Sequence, residues 1–418
     1  MTNAESGTTC DVVVVGGGPT GMAACLEAAS RGYSVVFCAP AGTHIDTDQR
    51  TTAVMMPGIR TLEKLGVWAA LKAQTASLDI LRIVDGTNRL LRAPTVNFRA
   101  SEIGEPAFGY NIRNKDLNKA LSDAVDAQPA IEKRDAMVSA VKYDTDSAEV
   151  VLSNGDTITT RLVVGADGSH SIVRQAAGVD VRKWSYPQTA LVLTFKHTRA
   201  HDNISTEFHR ETGPFTQVPL PGNESSLVWV VTPEQADEYA ALDDETLGRM
   251  IEQKMQSMLG AVTITARPQQ WPLSSSVAES FGERRMALVG HAAHAFPPIG
   301  AQGLNLGLRD VTDLGEALEK ATGDPGAQAV TSAYNRMRRA DIWVRTGAVD
   351  LLNRSLLTDF LPVQAVRALG LSALKMTPAL RSFMMRQGMA PSRGSGCLFA
   401  KLPFNQKRTN QPEEAVGS

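Results

Sequence analysis

The order of apolar and polar residues divides the chain into stretches of different kind. Residues 11–15 (DVVVV) are continuously apolar, as a parallel strand buried on both faces requires, and residues 33–38 repeat the pattern. Between them, residues 22–32 (MAACLEAASRG) predict a helix. Further on, Ile59, Leu62 and Leu65 recur at helical spacing, so Arg50 is expected to precede a helix. Residues 78–96 read as strands of a side sheet, and residues 108–121 (FGYNIRNKDLNKAL) as a strand-like turn and a helix with Arg113 and Asn114 at its mouth. The alternating segments 148–152 and 157–160 flank Asn154-Gly155, a hairpin turn signal. Residues 162–174 (LVVGADGSHSIVR) give a second strand, turn and helix.

From residue 190 to 278 the pattern becomes β-rich, with one helix expected near 244–259. Strands without intervening helices indicate an antiparallel sheet and hence a second domain. The stretch 285–314 then returns to strand (286–289), a break at Gly290, a proline-containing turn, and a helix on which Leu308, Val311, Leu314 and Leu318 share a face. After residue 341 the chain is helical and apolar, with Leu352, Leu356 and Phe360 in phase, then Val363, Val366 and Leu369, divided by Pro362 and Pro378. Two readings stand for this region: core or subunit packing, and an amphipathic surface meeting a membrane, since Arg354, Arg367, Lys375, Arg381 and Arg386 interleave with the leucines.

The expected fold is therefore α/β: a doubly wound dinucleotide-binding domain with an inserted antiparallel β-sheet substrate domain and a helical C-terminal region. The first domain is assigned residues 1–77, 106–182 and 279–340, and the sheet domain residues 78–105 and 183–278. Residues 341–402 form the helical region, and 403–418 a polar tail of disordered composition.

Composition narrows the function. With 42 lysines and arginines against 44 aspartates and glutamates, net charge is −2, so no broad basic surface for nucleic acid is expected. The four cysteines, Cys10, Cys25, Cys38 and Cys397, form no metal or disulfide spacing, which fits a reduced cytoplasmic protein. The N-terminus lacks the plan of a signal peptide, and no apolar run approaches the ~20 residues of a membrane span.

Candidate chemistry lies in the turns. Gly16, Gly18 and Gly21 keep the G-x-G-x-x-G spacing between a strand and a helix, the context in which that fingerprint marks a dinucleotide pyrophosphate site. Its N-terminal position favours FAD. The acidic residue that usually holds the ribose would fall at Ala39, which leaves Asp46 or Asp48 as substitutes. Arg50 is open to two readings, a solvated arginine or a contact to phosphate or flavin. Asp167 and Gly168 could hold sugar hydroxyls or merely form an Asp-Gly turn capped by Ser171, while Arg174 could meet a phosphate or pair with the turn. In the third turn, Gly300, Gly303 and Gly307 let a flat ligand approach the backbone at a helix N-terminus. His291 and His294 lack a third metal ligand, so no metal site is assigned.

Taken in order, GGGPTG (16–21), GADGSHSIVR (165–174) and GHAAHAFPPIGAQGLNLGLRD (290–310) resemble the class A flavoprotein monooxygenases, and more closely the UbiH-type ubiquinone-biosynthesis hydroxylases. RTTAVMMPGIRTLEKLGVW, RETGPFTQVPLPGNESSLVWV and the pair Tyr334 and Arg338 extend the resemblance over most of residues 10 to 390. It implies that Gly16, Gly18, Pro19 and Gly21 face the FAD pyrophosphate, with Arg50, Arg113 and Asn114 along the cofactor. It further implies that Asp167 and Gly168 belong to a motif that contacts FAD and NAD(P)H, that Pro298, Gly303, Leu304 and Asn305 border the isoalloxazine, and that His291, with Gly290 among the cofactor-binding residues, stands where the ribityl chain is held. Two positions depart from the family: His291 stands where Asp is usual, and Ala301 where Gly is usual.

The activity implied is FAD-dependent hydroxylation of the ring of a polyprenylated phenol through a flavin C4a-hydroperoxide. The electrons would come from NAD(P)H or another donor, the oxygen from O2, and the catalytic base is unassigned. The implied partners are a polyprenyl phenol or quinone precursor and other ubiquinone-biosynthesis proteins, in an oligomer or at the inner face of the membrane. The rival expectations are a hydroxylase of a small soluble phenol, a flavoprotein reductase or dehydrogenase that inserts no oxygen, and a non-catalytic scaffold.

Overall fold

The computed structural model describes residues 8–40, 48, 50–87, 94–298, 301–357, 377, 381–382 and 385–386, with side chains unspecified over 343–357. The N-terminal strand Thr8–Val15 lies at the heart of a largely parallel sheet, paired with Val35–Cys38 on one side and Thr157–Gly165 on the other. The strand order is Gly282–Glu283, Met286–Leu288, Thr157–Gly165, Thr8–Val15, Val35–Cys38, Ile131–Arg134. The 157–165 strand is also one arm of the Asn154-Gly155 hairpin, so a single strand serves both the hairpin and the second glycine turn. Helix Pro19–Ser30 packs between this sheet and helix Gln302–Glu319; a Cβ on Gly315 would lie 1.9 Å from Glu27 Oε1. Glu27 is buried there and paired with Arg31 and Lys64.

The second sheet has the order His294–Ala295, Val262–Ala278, Val181–His197, Glu224–Val231, Pro214–Leu220, Ile204–His209, Ile80–Asp85, Val96–Arg99. Its neighbours are antiparallel at every junction except one. Ile204–His209 runs parallel to Ile80–Asp85. The latter comes from a separate, earlier stretch of chain, so no hairpin fixes its direction. The strand Val181–His197 crosses the expected boundary at 183 without a break. One face of this sheet carries Phe195, Phe208, Phe215, Leu227 and Trp229 beneath helices Pro233–Ala241 and Asp244–Lys254. The first of these helices is absent from the sequence expectation, although Thr232 and Gln235 form a capping box at its start. The opposite face meets the first domain through Leu81, Phe98 and Val218, which pack with Ala53, Met55 and Phe108.

Two further elements differ from the sequence expectation. Arg50 leads into a strand, Thr51–Met55, and the helix begins only at Met56; the residues TTAVM pair with Gly109–Arg113 in a small third sheet. The C-terminal helical region begins at Gln328, in a helix that runs unbroken through residue 341 to Leu357. Asp46, Phe360, Val363, Val366, Leu369, Pro362, Pro378, Cys397 and the 403–418 tail lie outside the described residues. Among the described residues no helix is long and apolar enough to cross a membrane. Cys10, Cys25 and Cys38 are buried free thiols, and burial pushes Cys38 up to about 12.

Candidate functional site

Three turns that are far apart in sequence meet, with the first packed between the other two, and Thr20 is its contact to the third. Its side chain fills the space beside Gly290 and Gly307: a Cβ on either glycine would lie 3.1 Å and 2.5 Å from Thr20 Oγ1. The first turn thereby fits into the third. The second turn closes against the first from the other side. Gly16, at φ +117°, would drive a Cβ to 2.3 Å from the Ala166 carbonyl oxygen, and Gly21 would drive one to 2.1 Å from the Gly16 oxygen. Gly18 differs from both, since a Cβ there would meet nothing within 4 Å. Two glycines therefore serve close packing, while the middle one borders open space at the N-terminus of helix Pro19–Ser30, where Pro19 occupies the first turn.

In the second turn, Asp167 Oδ2 accepts hydrogen bonds from the backbone N–H groups of Ile172 (2.7 Å) and Val173 (3.3 Å). Its other oxygen, Oδ1, is buried and has no protein partner. Gly168, at φ +82°, borders open space. Arg174 is buried and donates to the carbonyls of Ala292 (2.7 Å) and Ser169 (2.8 Å), so it ties the second turn to the third rather than meeting a phosphate. Ser171 caps the helix through Arg174 N.

The third turn carries the departures. His291 sits deep among protein atoms yet keeps an exposed ring, as a cavity-lining residue does. Burial lowers its pKa below the ordinary value, and the neighbouring His294 and Arg50 push it the same way. The ring is thus neutral at physiological pH and able to hydrogen-bond a hydroxyl. A Cβ on Gly303 would lie 3.6 Å from its Nε2. Ala301 opens helix Gln302–Glu319 in the left-handed region at φ 54°, ψ 39°, a conformation glycine adopts without steric cost. Asn305 is a structural clamp: Oδ1 accepts from Met55 N (2.8 Å), and Nδ2 donates to the carbonyls of Ala53 (2.8 Å) and Ala301 (2.6 Å). Leu304 is half-buried against the first domain's core, and Pro298 is exposed.

Arg50 lies over the Trp271 ring at 4.8 Å and is held in a fork by Asp48, with contacts of 2.8 and 2.7 Å. Asn114 donates to Asp48 Oδ2 (3.0 Å) and accepts from Thr52 (2.7 Å). Burial raises the Asp48 pKa, but the bonds from Arg50 and Asn114 outweigh it and hold the carboxylate below its usual range. Asp48 thus orients Arg50 and is not free to replace the acid missing at Ala39. Arg113 reaches the other way, to Glu224 of the second sheet, at 2.8 Å.

The sequence reading missed the group that anchors the third turn. Asp310 is fully buried, and its Oδ2 accepts from Gly290 N and meets His294 Nε2, both at 2.8 Å. Its Oδ1 lies 2.6 Å from Arg338 Nε, and Arg338 also pairs with Asp313 and Asp341. Burial opposes the Arg338 charge, yet Asp310, Asp341 and Asp313 together hold its pKa above that of an ordinary arginine. His294 therefore has its Nε2 committed to Asp310, and among the described residues no cluster of three His, Cys, Asp or Glu could hold a metal. The available signal was phase: Asp310 and Asp313 share the helix face of the buried Leu306, Leu314 and Ala317.

The cradle fits a dinucleotide: a glycine backbone open at Gly18 and Gly168, a helix N-terminus beside it, and a buried carboxylate oxygen awaiting a donor. Fold and site together define a two-domain dinucleotide-binding flavoprotein, with a parallel-sheet domain below and a second sheet above. The comparisons narrow this further. Residues 9–346 match the FAD binding domain family, and the chain belongs to it. It is 34% identical over 387 residues to the ubiquinone hydroxylase UbiL of Rhodospirillum rubrum, covering 91% of this chain and 89% of that protein. It is 30% identical over 390 residues to the 3-demethoxyubiquinol 3-hydroxylase of Escherichia coli, covering 89% and 96%. Among solved structures, PqsL of Pseudomonas aeruginosa superposes with a TM-score of 0.72 at 23% identity, over 87% of this chain and 99% of that one. The p-nitrophenol 4-monooxygenase PnpA of Pseudomonas putida gives 0.73 at 17% identity, over 92% and 100%. These two speak to the fold. The chain is an FAD-dependent monooxygenase.

Proposed function

We propose that this enzyme hydroxylates the aromatic ring of a polyprenylated phenol, a quinone precursor of ubiquinone biosynthesis, with O2 and with NAD(P)H as electron donor. The observation that carries the reading is the meeting of three glycine turns, the third tied through Asn305 to Met55, which shares an apolar cluster around Phe108 with Leu81 and Val218 of the second sheet. The names of the relatives at 34% and 30% identity support the substrate class.

FAD, when bound, supplies the oxygen-activating redox chemistry. Gly16, Gly18, Pro19 and Gly21 would hold its pyrophosphate against the N-terminus of the first helix. Asp167 Oδ1, the orphaned oxygen, would accept a donor from the cofactor, beside Gly168. His291 and Gly290 would hold the ribityl chain, the imidazole acting as neutral donor or acceptor. Gly303, Leu304 and Asn305, with Pro298, would border the flavin ring, where the dipole of helix Gln302–Glu319 favours negative charge. Arg50 and Asn114 would lie along the cofactor, while Arg113 would brace the sheet above it through Glu224. The second sheet would keep water from the cofactor's reacting face.

The reading further places the enzyme at a membrane surface where polyprenylated phenols reside, with other ubiquinone-biosynthesis proteins as partners. Labelled-oxygen incorporation into lipid-extracted phenols by FAD-loaded enzyme and NAD(P)H tests the reaction. Deleting the gene should cause a polyprenylated quinone precursor to accumulate. A quinone pool unchanged by the deletion would reject this function.

A further inference from the structure

The first-domain-facing side of the second sheet carries a straight cross-strand row. Ile83 stands opposite Glu207, Glu207 opposite Thr216, Thr216 opposite Val228, and Val228 opposite Val192. All five are partly exposed. On the same face, two residues along each strand, Ser205 and Ser226 on one flank and His209, Val230 and Ala190 on the other are buried. The opposite face is sealed by the helices. The row is thus partly open with buried neighbours on both sides, though Leu81, Val218 and Asp85 of the flanking rows are partly open too, and we read it as one wall of the substrate space. It lies one side-chain repeat from Leu81 and Val218, which share an apolar cluster around Phe108 with Ala53 and Met55, and Met55 N is held by Asn305 of the third turn.

This wall is apolar except for Glu207 and Thr216. Glu207 Oε1 meets His209 Nε2 at 2.8 Å, and Oε2 accepts from Thr216 Oγ1 at 3.3 Å. The carboxylate lies deep among protein atoms, yet 23% of its side-chain surface is exposed, against 7% for His209. His209 therefore backs the carboxylate, and Glu207 is the charge presented to that space. Burial raises its pKa, but the bond and charge of His209 together with the Thr216 bond outweigh that and hold the carboxylate below its ordinary value. Among the described residues, neither this row nor its flanking rows contain a lysine or arginine; Arg50, which lies over Trp271 at the end of one flanking row, is paired with Asp48, and Asp85 adds a second acid to that row.

We propose that Glu207, oriented by His209 and Thr216, is the hydroxyl anchor of the substrate site: it accepts a hydrogen bond from a neutral phenol and repels aromatic substrates that carry a carboxylate. An apolar wall with one anionic acceptor suits a greasy phenol, and an aromatic acid would bring like charge into a poorly solvated space. The bond also feeds electron density into the ring to be hydroxylated, with no proton required to leave the oxygen. This inference rests on the proposed phenol substrate and assigns its specificity to one side chain.

The test uses FAD-loaded protein and three probes of similar bulk: nonylphenol, its methyl ether nonylanisole, and nonylbenzoate. Isothermal titration should show wild-type enzyme binding nonylphenol roughly tenfold or more tighter than nonylanisole, the strength of a hydrogen bond to a charged acceptor. Nonylbenzoate should bind most weakly. In Glu207→Gln the amide oxygen keeps the His209 bond and turns an N–H to the substrate space, so the preference for phenol over ether collapses while FAD content stays unchanged. Equal wild-type affinity for phenol and ether, tight binding of nonylbenzoate, or undiminished discrimination in Glu207→Gln would each overturn the inference. Should Glu207→Gln fail to hold FAD, the wild-type ranking of the three probes decides alone. Probe discrimination without labelled oxygen in any phenol would count against the proposed function and leave the anchor standing.

Discussion

The floor and the wall of this site are built by different means. The floor, where the three turns meet, is shaped by backbone: Gly16 and Gly21 are there because any side chain would strike the Gly16 or Ala166 oxygen, and Gly18 because nothing may stand between chain and ligand. The wall is shaped by side chains. Its row, Ile83, Glu207, Thr216, Val228 and Val192, draws one residue from each of five strands. The floor answers to a cofactor that many enzymes share, so its chemistry is a repeated backbone shape. The wall answers to one substrate, so its chemistry is a particular carboxylate. The contrast locates affinity for the cofactor below and choice of substrate above.

The most severe way to break the floor is to fill it. Gly21→Val places its Cβ about where the Gly16 oxygen already lies at 2.1 Å, and the first turn cannot close. The expected outcome is protein that does not accumulate in folded form, seen as loss of the cooperative melting transition. Next in size is the anchor beneath the third turn. Arg338→Met leaves the buried Asp310 and Asp313 without their cation, while Asp341 keeps Arg309, and breaking such a buried set costs about 3–5 kcal/mol. Chemical denaturation should show that loss, with FAD affinity falling alongside because Asp310 holds Gly290 N.

A smaller effect comes from His291. Its folded pKa lies below the usual 6.5, so as pH falls the unfolded chain takes up a proton first. The stability it contributes is whole above pH 6.5 and is lost as pH drops through the lower folded value. His291→Asn should flatten that limb, and thermal melts of both proteins from pH 7 to pH 5 check it. A variant that keeps the wild-type slope would assign the titration elsewhere. The smallest change is Ala301→Gly. Relief of a left-handed alanine is worth about 1–2 kcal/mol, against about 0.5–1 kcal/mol for the entropy glycine loses on folding, so a modest gain in stability is expected. If the variant is less stable, the strain at Ala301 is not where this contrast places it.

The floor was legible in the sequence because backbone constraints leave fixed spacings: the triplet at Gly16, Gly18 and Gly21, the Asp167-Gly168 turn and the 290–307 loop all stood out. The alternating and apolar runs likewise marked most strands of both sheets. Other features left weaker traces. Thr51–Met55 is short enough that its helical successor masked it, and the parallel pairing of Ile80–Asp85 depends on a partner far along the chain. Asp310 and Asp313 share the phase of the helix's apolar face, but the cation that satisfies them, Arg338, lies on the next helix, so their role shows only once the two helices pack. Glu207 was invisible for the same reason, since within STEFHRE a glutamate near a histidine signals nothing until four other strands align beside it.

The most direct test of the central claim, that three glycine turns form a single FAD cradle, is an equilibrium titration of FAD into wild-type protein and Gly18→Val. A Cβ at Gly18 meets no protein atom within 4 Å, so the variant should fold and melt as wild type does. The account predicts about one FAD per wild-type chain, and at least roughly a hundredfold weaker binding to the variant because its side chain stands where the pyrophosphate must approach. Wild-type protein that binds no FAD, or a folded Gly18→Val that binds it equally well, would contradict the account.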